Sequence, residues 1–279
     1  MSTDFSQLPA PAKLNLFLHV TGRRPDGYHT LQTLFTFVDY GDALTFRPAK
    51  AGTLRREGDV AGISESEDLC FKAARLLQEK SGIRGGVTIR LEKRIPIGGG
   101  LGGGSSDAAT TLIALNRLWE TGLNRAELME LGRLLGADVP VFIGGEAAFA
   151  EGVGELLTPF KVPEHWYLIV SPRFGVSTRE IFEAPELTRN SNPVKMCDFS
   201  MGFGHNDLQP VVVRRYPAVA RLLDWLGQWG DARMSGSGAC CFVPFGDASG
   251  ARLALEQIPQ EYTGFVARGM NRHPLRDWL

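Results

Sequence analysis

Six of the seven positions from 98 to 104 are glycine, inside the run Pro96, Ile97, Gly98, Gly99, Gly100, Leu101, Gly102, Gly103, Gly104, Ser105, Ser106. Glycine has no Cβ, so such a backbone turns through positive φ and brings its N–H groups close to a ligand. Ahead of the run, residues 87–95 alternate, with Val87, Ile89 and Leu91 on one face, and predict a strand. Behind it, Ala108, Leu112, Leu115 and Trp119 fall on one stripe and predict an amphipathic helix. A helix start presents unpaired N–H groups and the positive end of the macrodipole, so a glycine loop feeding one favours an anion such as a nucleotide phosphate. Ser105 and Ser106 add hydroxyl donors. A flexible linker of the same composition has no reason to sit directly between a strand and an amphipathic helix.

Two other phosphate-binding loops compete. The P-loop pattern needs a Gly-Lys pair, and the chain has none. Gly98, Gly100 and Gly103 do satisfy G-x-G-x-x-G, which keeps a dinucleotide-dependent oxidoreductase as a rival of a different class. That fold also needs a second parallel strand ending in an acid about 20 residues on, where this sequence enters another helix.

Phosphoryl transfer to an alcohol needs ionisable groups near the loop. Residues 11–19 place Ala12, Leu14, Leu16 and Leu18 on one face and Lys13, Asn15, Phe17 and His19 on the other, predicting a half-buried strand with Lys13 and Asn15 side by side. Asp138 precedes Val139 and Pro140, a pattern that suits a helix N-cap as well as a free carboxylate. Cys70, Cys197, Cys240 and Cys241 have no C-x-x-C spacing and read as buried free thiols. The five histidines form no ligand cluster, so no protein-built metal site is expected.

The elements that position these groups follow from periodicity. Pro25, Asp26 and Gly27 make a turn, and residues 28–37 give a second strand. Leu69, Ala73, Leu76 and Leu77 mark a helix, and Asn124 with Glu127 opens another by a capping box, ended by Gly136. An apolar strand at 166–171, a polar stretch at 188–205, a helix at 218–229 and a second glycine-serine cluster at 235–238 follow. The order predicts α+β, with antiparallel sheets and helices packed on one side. At 279 residues two domains are favoured, 1–160 and 161–279.

Thirty basic residues against thirty-one acidic ones, a net charge of −1, provide no field for a polyanion, so nucleic acid is not an expected partner. No basic segment followed by an apolar stretch opens the chain, and no 18 apolar residues run together, so no membrane contact and a cytoplasmic location are expected. Oligomeric state leaves no mark in the sequence.

The run at 96–106 resembles the phosphate loop of the GHMP kinases, which include galactokinase, homoserine kinase and mevalonate kinase. The segments Pro-Ala-Lys-Leu-Asn-Leu-Phe-Leu at 11–18, Asp-Gly-Tyr-His at 26–29, Leu-Gly-Ala-Asp-Val-Pro at 135–140 and Ser-Gly-Ser-Gly at 235–238 stand in the order of the branch acting on 4-diphosphocytidyl-2-C-methyl-D-erythritol. Several separated motifs in order are more specific than one loop, and they span nearly the whole chain. The resemblance implies a domain like the second domain of ribosomal protein S5, joined to a ferredoxin-like C-terminal domain. It implies ATP with Mg2+, and a cytidine diphosphate-linked polyol phosphorylated on its 2-hydroxyl. By motif match Asp138 is the general base and Lys13 the charged partner that holds it ionised, with Asn15 beside them. Tyr28, His29 and Phe182 match positions that hold the cytosine, Thr178 lies in a substrate-lining stretch, and Gly236, Ser237 and Gly238 match the third motif. The cytosine-holding aromatics argue against a mevalonate or homoserine kinase. Glu67, Asp68 and Leu69 depart from the branch's usual Asp-Asn-Leu beside the adenine, because Asp68 has no amide donor.

Overall fold

A computed structural model describes residues 5–58, 64, 67–196 and 202–279. The chain opens with two long antiparallel strands, β1 (Leu8–Arg23) and β2 (His29–Ala49). Their turn follows the sequence: Gly27 takes φ +90°, and its N–H donates to Arg24 O at 3.0 Å. Next come β3 (Leu54–Glu57), α1 (Leu69–Ser81), β4 (Gly86–Glu92), α2 (Gly103–Leu118), α3 (Arg125–Leu135) and α4 (Val139–Gly144). The capping box of Asn124 and Glu127 forms as expected, with Glu127 N donating to Asn124 Oδ1 and Asn124 N to Glu127 Oε2.

The second half contributes β5 (Ala148–Glu151), β6 (Leu156–Pro159), β7 (Trp166–Pro172), α5 (Thr178–Glu183), α6 (Gln209–Arg215), α7 (Pro217–Leu226), β8 (Arg233–Met234), β9 (Cys241–Phe245), α8 (Ala248–Glu256) and β10 (Tyr262–Met270). Among the described residues the sheet runs β3-β4-β2-β10-β7-β9-β8, with β1 and β5 also paired to β2 and β6 to β5. Among the described strand pairings the β3–β4 ladder alone is parallel, so the α+β reading holds. β10 joins the halves: it pairs with β7 over its length and with Val38 and Phe37 of β2 at its end. The chain end then returns to the first half, where Leu275 enters the core beneath α2 and Arg125 Nη2 donates to Arg276 O at 2.6 Å.

Two expectations change. The strand expected to be half-buried is β1, and both its faces are covered: Lys13, Asn15 and His19 are at most 5% exposed. The cover on its polar face comes from the glycine loop and from residues 203–207 and 235, far away in sequence. The helix expected to be amphipathic, α2, is buried at every position from Ser106 to Leu115. It lies between β1 and helices α1, α3 and α4, and its polar groups are used internally, with Thr110 Oγ1 donating to Pro9 O and Thr111 Oγ1 to Asp107 O. Cys70, Cys240 and Cys241 are buried free thiols, and Cys197 lies outside the described residues.

Candidate active site

The glycine loop crosses the end of β1. Lys13 N donates to Leu101 O at 3.0 Å, which seats the loop on the strand that carries Lys13 and Asn15. Gly98, Gly100 and Gly102 all take positive φ. Gly100 is the tightest position, because a Cβ there would stand 2.1 Å from Ser235 O. The second glycine-serine cluster is locked against the first: Ser235 Oγ donates to Gly100 O, Cys240 N to Gly99 O, and Val176 N to Gly98 O. Loop and cluster therefore make one rigid wall, built from both halves of the chain.

Lys13 is 2% exposed, and a buried ammonium is stable only when its donors are satisfied. Its Nζ donates to Gly100 O at 3.1 Å and to Asn15 Oδ1, and lies 3.3 Å from Asp138 Oδ2 and 5.4 Å from the centre of the Phe35 ring. Asn15 is oriented in turn by Nδ2 donating to Thr33 Oγ1 at 2.9 Å. Asp138 stands just before α4 yet makes no side-chain cap hydrogen bond, so its carboxylate, 33% exposed, faces the ammonium and the solvent.

A cavity of about 450 Å³ opens over these groups, within the usual size of a small-molecule site. Its walls include Lys13, Asn15, Asp138, Pro96, Ile97, Leu101, all six loop glycines, Ser105, Thr178, Phe182, Gly236 and Ser237. Thr178 opens α5, and its Oγ1 hydrogen-bonds Ser237 Oγ at 2.7 Å. Four candidates lie off the cavity wall. Ser106 is fully buried under the first turn of α2, its hydroxyl without a protein partner among the described residues. Gly238 packs beneath the wall, where a Cβ would meet Met234 Sδ at 2.7 Å. Tyr28 is 65% exposed on the β1–β2 turn, and His29 lies against Phe182, ring centres 5.3 Å apart. Asp68 is engaged elsewhere: it caps α1 through Cys70 N and pairs with Arg56 Nη1 at 3.0 Å.

The sequence reading missed Lys93. Its Nζ lies 2.5 Å from Asp42 Oδ2 and 2.6 Å from Asp107 Oδ2, while Asp42 Oδ1 accepts from Arg94 N and Ile95 N. These contacts pin the residues just before the glycine loop to Asp107 in the helix just after it. Within Glu92-Lys93-Arg94, the lysine reads as one more solvated charge, and nothing local marks its partners.

Burial lifts the Asp107 carboxyl to about 8; Lys93 pulls it back and the Asp42 charge adds to the rise. The folded value therefore exceeds that of the unfolded chain, about 3.9. Between those values the native state keeps a proton that the unfolded chain has released. Stability from this group is thus whole below about pH 4 and is withdrawn as pH rises towards 8. Asp107→Asn mimics the protonated acid, so its melting temperature relative to wild type should rise between pH 5 and pH 8. A constant difference across that range would contradict this account of the cluster.

Known proteins resemble the chain along its length. Residues 68–146 match the GHMP kinases N terminal domain, and residues 186–264 match the GHMP kinases C terminal family. The 4-diphosphocytidyl-2-C-methyl-D-erythritol kinase of Thiobacillus denitrificans is 57% identical over 271 residues, covering 97% of this chain and 98% of the relative. That of Nitrosospira multiformis is 57% identical over 273 residues, covering 97% and 93%. A crystal structure of 4-(cytidine 5'-diphospho)-2C-methyl-D-erythritol kinase superposes with a TM-score of 0.82 at 35% identity, covering 94% of this chain and 98% of the other. A mevalonate kinase structure, at 17% identity and a TM-score of 0.71, shares the fold. No described helix is long and apolar enough to cross a membrane.

Proposed function

The chain belongs to the GHMP kinases and, within them, to the 4-diphosphocytidyl-2-C-methyl-D-erythritol kinase family, and from that premise we propose how its cleft performs the reaction. The enzyme moves the γ-phosphoryl group of ATP to the 2-hydroxyl of its cytidine diphosphate-linked polyol, in the non-mevalonate route to isoprenoid precursors. The observation that carries this reading is the Lys13–Asp138 pair, 3.3 Å apart, at the mouth of the glycine loop.

The N–H groups of the loop and of the α2 start hold the phosphate oxygens of ATP, a role that suits positions where a Cβ would close the cradle. Asp138 takes the proton from the substrate hydroxyl as its oxygen bonds to phosphorus and the bond to the β-phosphate breaks, releasing ADP. Lys13 orients that carboxylate and sets positive charge against the phosphates. Asn15 and Thr178 line the path of the polyol, and Phe182 offers a ring face to the base. Ser105 and Asp138 are oxygen donors on the wall that would suit a Mg2+ ion, which would supply further positive charge against the phosphates. In this reading residues 1–160 form the ATP-binding domain and residues 161–279 the substrate domain, with Tyr28 and His29 reaching the base from the first, at a cytoplasmic location.

A coupled ADP-release assay tests the assignment by comparing the diphosphocytidyl substrate with mevalonate, homoserine and galactose. ADP should appear with the diphosphocytidyl substrate alone. Equal rates with an acceptor that lacks cytidine would overturn it.

A further inference from the structure

Arg189 belongs to no helix or strand and lies in the polar stretch at 188–205. Its guanidinium nevertheless reaches both sides of the base end of the cleft. Nη1 donates to Leu187 O at 3.0 Å, and Nη2 donates to Phe182 O at 3.1 Å and Ala184 O at 2.6 Å. The carbonyls of Phe182 and Ala184 stand at the C-terminal end of α5, so Arg189 caps the helix that carries Phe182 into the cavity. On its other side Nε lies 3.0 Å from Nε2 of His29, the first residue of β2. One planar group thus ties the end of α5 to the β1–β2 hairpin, and the two residues it grips, Phe182 and His29, face each other with ring planes 34° apart.

The chemistry of this contact fixes a proton. An arginine Nε always bears hydrogen and never accepts, so Nε2 of His29 must be the acceptor and the imidazole proton must sit on Nδ1. Protonating Nε2 would aim two N–H groups at each other. Burial, followed by the charges of Arg189 and Arg23, also holds the His29 pKa below its ordinary value. Nδ1–H has no protein partner among the described residues, and it is not one of the sealed, unpaired polar atoms.

We propose that Arg189 is a positioning residue for base recognition, setting His29 as the Nδ1–H tautomer and fixing Phe182, so that a hydrogen-bond donor and a ring face are offered together. The pair complements the acceptor edge of cytosine, which has unprotonated N3 and O2; uracil carries hydrogen at N3. The proposal rests on the reading that this end of the cleft holds the cytidine base.

Arg189→Lys keeps the charge and removes the fork that matches both the imidazole and the carbonyls. Long-range 1H–15N spectra of the full-length protein, with the His29 signals assigned by His29→Gln, should show the Nδ1–H pattern in wild type and its loss in R189K. In steady state R189K should raise KM for the diphosphocytidyl substrate about tenfold, with kcat and KM for ATP changed less than about twofold, the pattern of lost ground-state binding. An Nε2–H pattern in wild type, an unaltered tautomer in R189K, or an unchanged KM would each overturn the proposal. The wild-type spectrum decides even if R189K folds poorly. Phe182→Ala separates the two levels: if it raises KM while R189K does not, the base site stands and the role of Arg189 falls. If neither raises KM, the base site falls as well.

Discussion

Asp138→Asn should lower kcat for phosphoryl transfer at least about a hundredfold, the usual contribution of a positioned general base. The exchange keeps size and shape and removes the ability to take up a proton. Stability should change little, because Asp138 makes no side-chain cap bond to α4 and its carboxylate is one-third exposed. The lone charge partner it leaves behind, Lys13, retains Gly100 O and Asn15 Oδ1 as acceptors. Turnover by ADP release, read beside the melting temperature, checks this. Near-normal turnover in a folded D138N protein would remove Asp138 from the role of base.

Lys13→Ala should cost at least about a hundredfold in turnover through loss of charge stabilisation. It should also reveal a structural part of the residue that Asp138 lacks. Lys13 is buried, its stem packs against Gly102 and its ammonium lies over the Phe35 ring, so truncation opens a cavity and strips partners from Asn15 and Asp138. Removal of a buried stem of this length costs about 2–4 kcal/mol, less than the whole stability of a domain of this size, so the protein should stay folded with a lower melting temperature. Lys13→Met separates the two effects by filling the space without the charge. It should recover much of the melting temperature and none of the turnover. If K13M turned over near the wild-type rate, the ammonium would have no part in the chemistry.

The site was legible in the sequence wherever its parts are local. The glycine run between a strand and a helix, the alternation that put Lys13 and Asn15 on one face, and the capping box at Asn124 rest on contacts within a few residues. Where the partners are distant, the signal fades. Alternation in β1 suggested one wet face, because the groups that cover it, Ser235 and the turn at His205, come from the other end of the chain. The stripe on α2 understated its burial, because Thr110 and Thr111 satisfy their hydroxyls on nearby carbonyls and so behave as core residues. Lys93 and Arg189 were invisible for the same reason. An ammonium that bridges Asp42 and Asp107, and a guanidinium that bridges α5 and His29, look in one dimension like surface charges. Tyr28, His29 and Phe182 come from a match to family positions, and the structure sets His29 against Phe182 while Tyr28 is exposed on its turn.

In the proposed reaction the triphosphate lies on the glycine loop, with its terminal phosphate at the Lys13–Asp138 pair. A crystal structure of the protein with a non-hydrolysable ATP analogue and the diphosphocytidyl substrate tests it most directly. Phosphate oxygens should lie on backbone N–H groups within residues 98–105, and the substrate hydroxyl within hydrogen-bond reach of Asp138. A triphosphate lodged elsewhere, or a hydroxyl remote from that carboxylate, would contradict it.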